Sequence, residues 1–224
     1  MSYKAIAIDG PSGAGKSTLA RAMAEKMGYL YVDTGAIYRT VGLAAKRHGV
    51  MLEHIEWIVG LLKMIKVELK YGKNGLQRMY LDGEDVTDEI RKPEISKYAS
   101  AVSALPEVRA FLMEQQRGLA RTNNVIMDGR DIGTVVLPGA DLKIFLTASP
   151  EARATRRWKE LQEKGIDQPY EMVLADIRER DFKDTNREAA PLCQAEGAVL
   201  VDTSEYNWDE SLSLLLNLAK ERLG

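Results

Sequence analysis

Gly10-Pro11-Ser12-Gly13-Ala14-Gly15-Lys16-Ser17 is a glycine, four residues, then Gly-Lys-Ser, the spacing of a phosphate-cradling P-loop. Just upstream, Ala5-Ile6-Ala7-Ile8 is a short apolar run of the kind that forms a buried strand. Just downstream, Leu19, Ala20, Met23, Ala24 and Met27 recur at helical spacing. The motif therefore lies between a strand and a helix, where loop amides and the helix N-terminus together hold polyphosphate oxygens. Gly10, Gly13 and Gly15 permit the tight turn. Lys16 is expected to reach the terminal phosphates, and the Ser17 hydroxyl to ligate magnesium. A glycine-rich turn without a ligand matches the spacing as well, but it does not require the strand, the helix and the Lys-Ser pair together. The nucleotide cradle is read as Gly10, Pro11, Ser12, Gly13, Ala14, Gly15, Lys16, Ser17 and Thr18.

Further apolar runs recur between helical patterns, at Tyr29 to Val32, Val125 to Met127, Lys143 to Leu146 and Ala198 to Val201. Strands that alternate with helices predict an α/β fold, a five-stranded parallel sheet flanked by helices, as one domain over residues 1–224. Residues 66–82 depart from that pattern. Val67-Glu68-Leu69-Lys70-Tyr71 and Gln77-Arg78-Met79-Tyr80-Leu81 flank Gly72-Lys73-Asn74-Gly75, a hairpin signal, so an antiparallel insertion is expected over 64–92. Prolines at first helical positions predict helices from Pro93 to about Leu105 and from Pro106 to about Arg121. Near the C-terminus, Trp208, Leu212, Leu215, Leu216, Ala219 and Leu223 form one stripe, the pattern of a core-facing helix.

The chain has 224 residues, 45% hydrophobic and 29% charged, with a net charge of -2. That is enough for one sizeable core and gives no general nucleic-acid or membrane surface, so the basic residues that matter are expected to be local. The lone Cys193 cannot form an internal disulfide and reads as an incidental thiol, and no signal peptide or bilayer-spanning run is evident. A cytoplasmic monomer is the expectation. His48 and His54 show no ligand-like spacing and read as surface residues.

Four clusters carry the remaining charge chemistry. Arg39 follows Asp33-Thr34-Gly35-Ala36-Ile37-Tyr38 just beyond the second strand, a usual ligand position in an open parallel sheet. A solvated arginine and a capping aspartate fit equally well. Asp128-Gly129-Arg130-Asp131-Ile132-Gly133-Thr134 follows the third strand. Asp128 there is the candidate to order magnesium's waters, with Arg130 and Asp131 projecting from the sheet's carboxyl edge; a tight turn with a local ion pair is the plain alternative. Arg153, Arg156 and Arg157 share a helix face and suit a mobile lid over 153–168, or else a solvated face laced with Glu151 and Glu160. Arg180, Asp184 and Arg187 share another face, where ordinary intrahelical pairing would look the same.

Taken together, these stretches resemble the bacterial cytidylate kinases over nearly the whole chain. The resemblance rests on Ile8 to Ser17, Asp33 to Arg39, Gly83-Glu84-Asp85-Val86 with Ile90-Arg91, Asp128 to Val136, and Arg180-Asp181 with Asp184 and Asn186-Arg187. It implies transfer of the γ-phosphate of ATP, with Mg2+, to CMP or dCMP, and it makes the 64–92 insertion the monophosphate-binding subdomain. It also implies site roles: Ser100 and Asp131 as acceptors for the cytosine amine, Arg109 as donor to N3, and Arg180 and Asp184 at the sugar. Arg39, Arg130 and Arg187 fall at the acceptor phosphate or the transferring group. Thr34 takes a substrate-side place where some relatives carry serine. Lys16, Arg130, Arg157 and Arg187 are the expected catalytic set. Uracil would present the wrong polarity to the base-reading groups, and each group left unpaired costs about 1–3 kcal/mol. Another P-loop kinase acting on UMP, thymidylate or shikimate, and a nucleotide-gated switch without an acceptor, are the rival readings.

Overall fold

β1 (Ala5–Asp9) is the apolar run that precedes the P-loop, and Ile6, Ala7 and Ile8 are fully buried, as a central strand covered on both faces must be. The computed structural model describes residues 3–73 and 75–224. After the loop come α1 (Lys16–Met27), β2 (Leu30–Asp33) and α2 (Thr34–Arg47). A 3-10 turn (Leu52–Trp57) and the one-turn α3 (Ile58–Leu61) lead to β3 (Val67–Tyr71), β4 (Gln77–Leu81) and β5 (Glu84–Asp85). α4 (Pro93–Ser103) and α5 (Pro106–Thr122) follow, then β6 (Val125–Gly129), a π-helical turn (Ile132–Val136) and β7 (Leu142–Thr147). α6 (Pro150–Glu163), α7 (Tyr170–Asn186), β8 (Val199–Asp202) and α8 (Trp208–Leu223) complete the chain.

The main sheet has five parallel strands in the order β2-β6-β1-β7-β8, as the alternation of apolar runs and helices predicts. β1 pairs with β6 from Ala5↔Val125 to Asp9↔Gly129, and with β7 from Ile6↔Leu142 to Asp9↔Phe145. The register brings the ends of β1 and β6 level, so the P-loop and the Arg130 turn leave adjacent strands at the same carboxyl edge, where ligands bind in open sheets of this kind. α1 packs on β6 and α8, and α8 also covers β7. Along α8, Leu212, Leu215 and Ala219 are buried as the stripe predicts, but Trp208, in the first turn, is 47% exposed. That turn is set by a capping box between Asn207 and Glu210.

The chain divides into two compact units, the described residues up to Leu30 with Asn123–Gly224, and Tyr31–Thr122. In the second unit Asp33 caps α2, its carboxylate accepting the Ala36 amide at 2.9 Å. α2 packs closely on α4 at Gly42, where an added Cβ would stand 2.9 Å from the Ala99 nitrogen. The expected hairpin is there as β3 and β4, paired from Val67↔Leu81 to Tyr71↔Gln77, but it is part of a three-stranded sheet. β5 pairs back onto β4 through Asp82-Gly83, both at positive φ (52° and 86°), the two-residue turn that suits a hairpin. Of the expected tip Gly72 to Gly75, Asn74 lies outside the described residues; the Gly72 amide bonds the Leu76 carbonyl and the Gly75 amide bonds Gly72's. The helices from Pro93 and Pro106 start where the prolines place them.

Candidate active site

The cradle's shape is enforced at Gly10, which has φ 150° and whose added Cβ would lie 1.9 Å from the Leu146 carbonyl oxygen. No side chain can occupy that position. Gly15, in the left-handed region, is the N-cap of α1 and offers no side chain to the first helical amides, which leaves that helix end suited to an anion. Pro11 and Ala14 are buried, Ser12 is partly buried, and Ser17 and Thr18 are exposed on the first turn. Lys16 is buried, with Nζ donating to the Pro11 carbonyl at 2.7 Å. Burial, followed by the charge of Arg130, pushes its pKa well below the usual lysine range, against the pull of Asp128.

Ser17 Oγ donates to Asp128 Oδ2 at 2.8 Å. A hydroxyl beside a buried carboxylate at a strand end is the hard oxygen donor set that suits Mg2+, an ion that keeps most of its shell for waters and substrate phosphates. Among the described residues no group of three or more His, Cys, Asp or Glu side chains is arranged as a metal cage. Asp128 and Ser17 are the residues that fit the ion.

Around the next turn the charges pair. Arg130 Nε donates to Asp184 Oδ2 at 2.7 Å, and Arg187 meets Asp131 at 3.5 Å while its Nε donates to the Ala190 carbonyl at 2.6 Å. Asp131 and Asp184 are both buried. Burial opposes ionisation of Asp184, but Arg130, Arg180 and Arg187 outweigh it and hold its pKa below the ordinary carboxylate range. Arg180 also acts on Lys16 through its charge. Lys16, Arg130, Arg180 and Arg187 thus form one electrostatic cluster in the same unit.

The three arginines of α6 have three different fates. Arg153 is buried, donating from Nε to the Ala148 carbonyl (2.8 Å) and from Nη1 to the Ser12 carbonyl (3.0 Å), and bridging Asp181 of α7 with both terminal nitrogens (3.0 and 2.6 Å). Arg156 bonds the Thr203 carbonyl. Arg157 is exposed and pairs with Glu160 at 3.1 Å, the local helix pair that the plain reading of this face expected. Beneath them Ala154, Leu161, Val173, Leu174 and Ile177 pack α6 against α7, with Trp158 and Tyr170 at the margin.

The other expected substrate residues lie in the 31–122 unit. Thr34 is buried at the start of α2. Arg39 donates from Nη1 to Ser96 Oγ (2.9 Å) and the Ile90 carbonyl (3.2 Å), while Asp33 pairs with Arg91 at 2.8 Å and exchanges hydrogen bonds with the Gln77 amide through its backbone. Ser100, partly buried on α4, gives its carbonyl to Ser103 Oγ. Arg109 is buried on α5, bonded to the Ser103 carbonyl at 3.3 Å and set over the Tyr38 ring at 5.8 Å. Of the base-reading trio, Ser100 and Arg109 belong to this unit and Asp131 to the other.

Two features of the first unit were not assigned from sequence. Asp9 ends β1 with both carboxylate oxygens bonded to backbone amides of the π-helical turn, Ile132 and Gly133, at 2.7 Å each. The Arg153–Asp181 bridge reaches the cradle itself. For Asp9, the one available signal is an acid at the end of an otherwise apolar strand. For Arg153, nothing in the local pattern distinguishes it from Arg156 and Arg157.

A cradle opening from the central strand of a parallel sheet, with a buried lysine and clustered arginines at the strand ends, defines a P-loop phosphotransferase of the small-kinase class. The family model described as Cytidylate kinase matches residues 6–221. The cytidylate kinase of Caldicellulosiruptor bescii is 49% identical over 95% of this chain and 94% of its own. That of Caldanaerobacter subterraneus subsp. tengcongensis is 51% identical over 92% and 89%. A crystal structure of an uncharacterized protein from Eubacterium ventriosum shares the fold with a TM-score of 0.51 at 10% identity, covering 98% of this chain and 99% of that one. The chain belongs to the cytidylate kinase family.

Proposed function

We infer that this chain transfers the γ-phosphoryl group of ATP to CMP or dCMP, releasing ADP and the pyrimidine diphosphate. The observation that carries the reading is the cluster of Lys16, Arg130, Arg180 and Arg187 beside the cradle, in a chain about half identical to curated cytidylate kinases. Phosphoryl transfer spreads negative charge over the moving group, and fixed cations in a site closed to water stabilise it. The acceptor phosphate is already ionised at neutral pH, so no general base is needed and the work is alignment and charge.

In this reading Gly10 to Thr18 hold the triphosphate, Lys16 meets its terminal groups, and Ser17, with Asp128, serves Mg2+. The Ser17 hydroxyl and the Asp128 carboxylate would hold the ion, which would supply positive charge to offset that of the phosphates. Arg130, Arg187 and Arg157 act on the transferring group. Arg157 has only an exposed, weak pair with Glu160 to give up. Thr34 and Arg39 take the acceptor phosphate side, Arg180 and Asp184 the sugar, and Ser100, Arg109 and Asp131 the cytosine. Residues 64–92 serve as the monophosphate subdomain and 153–168 as the lid. A cytoplasmic monomer belongs to the same proposal, and size-exclusion chromatography tests the monomer.

A coupled ADP-release assay with ATP and each of CMP, dCMP, UMP and AMP tests the activity. CMP and dCMP are expected to be the best acceptors; best turnover with AMP, or none with CMP, overturns the reading. Arg109→Met and Asp131→Asn are expected to raise the KM for CMP by about tenfold or more, from the loss of one buried polar partner, while ATP binding survives.

A further inference from the structure

Asp9 is 3% exposed, a carboxylate sunk where a strand delivers the chain to the cradle. Its backbone is held on both sides, by pairing with Gly129 of β6 and with Phe145 of β7. Its side chain is spent on a different element. Oδ1 accepts the Ile132 amide and Oδ2 the Gly133 amide, each at 2.7 Å. These are the opening amides of the π-helical turn Ile132–Val136, and amides at a helix start have no partner within it. At the preceding residue, Asp131, the backbone is non-helical (φ -148°, ψ 29°), and its carbonyl accepts the amides of Val135 and Val136.

Arg130 and Asp131 therefore leave a two-residue link fixed at both flanks, by the β6 ladder up to Gly129 and by the Asp9 carboxylate at 132 and 133. The side chain required is specific. A carboxylate presents two acceptors and no donor, and the two amides here are both donors. Burial raises the Asp9 pKa to about 6 in spite of those two bonds, so the acid sits where an apolar side chain would be easier to accommodate.

We propose that Asp9 is a positioning residue for the acceptor side of the reaction: by clamping the start of the Ile132–Val136 turn, it sets the direction in which Arg130 and Asp131 project. It touches no reacting atom. Because its own backbone is locked into β1, loss of the clamp frees the turn rather than the cradle backbone, so the larger defect falls on the acceptor nucleotide through Asp131, and ATP feels only the smaller loss of the Asp9 charge acting on Lys16. The inference rests on the proposed reading of Asp131 as a base contact.

Asp9→Asn tests it, since the amide keeps the shape but turns an NH2 toward one of the two donors. The KM for CMP is expected to rise about tenfold while that for ATP stays within about twofold, and the preference for CMP over UMP narrows. Unchanged CMP kinetics and preference, or equal rises for both nucleotides, overturn the proposal. Hydrogen exchange reads the clamp directly, and in the wild type the Ile132 and Gly133 amides are expected to be protected. If they exchange as fast as open loop amides, the clamp is absent whatever the variant does. If the wild type exchanges slowly there yet fails to phosphorylate CMP, the functional reading falls and the clamp stands.

Discussion

Arg153→Met would test how the cradle is fastened to the helices that follow it. The side chain is 3% exposed and makes four hydrogen bonds, two to the Asp181 carboxylate and one each to the carbonyls of Ala148 and Ser12. Methionine fills similar volume but leaves an uncompensated carboxylate and two carbonyls without their donor. Breaking a buried pair by removing one partner costs about 3–5 kcal/mol. The Asp181 side chain keeps 24% of its surface open to water, which places the loss at the lower end, about 3 kcal/mol. At about 2–4 °C per kcal/mol for a chain of this size, Tm should fall by about 6–12 °C.

A double-mutant cycle with Asp181→Asn isolates the bridge, with an expected coupling of about 2 kcal/mol by urea unfolding. The Arg157–Glu160 pair, exposed on the same helix, is the internal control and should couple by under about 0.5 kcal/mol. Because one of the four bonds ends on Ser12, the KM for ATP should rise more than the KM for CMP. A coupling for Arg153–Asp181 no larger than that of the exposed pair would refute the reasoning.

Gly10→Ala forces a Cβ to within 1.9 Å of the Leu146 carbonyl and should abolish ATP binding in a nucleotide titration, with a lowered Tm if the chain folds. Gly42→Ala pushes α2 off α4, where the new Cβ would meet the Ala99 nitrogen at 2.9 Å; overpacking of this kind costs about 1–3 kcal/mol, measurable by urea unfolding, with little change in either KM. The pKa of Asp9 is about 6 in the fold against 3.8 as the ordinary value, so the folded state binds more protons in that window and stability falls as pH rises through it. Relative to Asp9→Asn, the wild type should be more stable at pH 4 than at pH 7.5 by up to about 3 kcal/mol, and an equal difference at both values would contradict the assignment.

The parallel sheet was legible because its strands are short apolar runs separated by stretches of helical spacing, whereas the strand order, with β1 at the centre, came only from the structure. β5 was not, since Glu84-Asp85 is only two residues long and exposed, without any alternation to read. The Asp82-Gly83 turn that creates it carried a recognisable signal. Trp208 was assigned to the core on periodicity alone, yet it falls in the first turn of α8, which the Asn207–Glu210 box holds at the surface. In the site, residue types and loop positions pointed to phosphate chemistry, but partners did not follow from them. Arg153, Arg156 and Arg157 are alike in type and spacing, and their fates are decided by Asp181 and Thr203, far along the chain. Asp9 likewise takes its meaning from amides 123 and 124 residues away. Local periodicity records burial, and long-range polar pairing leaves no periodic trace.

The cluster also shows how a site can carry several cations without an excess of unpaired charge. Arg130 rests on Asp184, Arg187 on Asp131, and Lys16 on the Pro11 carbonyl. A bound phosphate would then exchange one set of partners for another, so the net gain per contact is modest, but side chains already held in place lose little further freedom. Lys16 differs from the arginines in one respect, because its proton can leave. Burial and Arg130 both disfavour its charge, and a polyanion drawn in beside it acts in the opposite direction. Triphosphate binding and protonation of Lys16 must therefore favour each other, since whatever stabilises the ammonium in the complex raises its affinity for the proton by the same free energy. A phosphate beside the lysine would favour its charged form, and the arginines, which cannot lose a proton, supply the constant field around it.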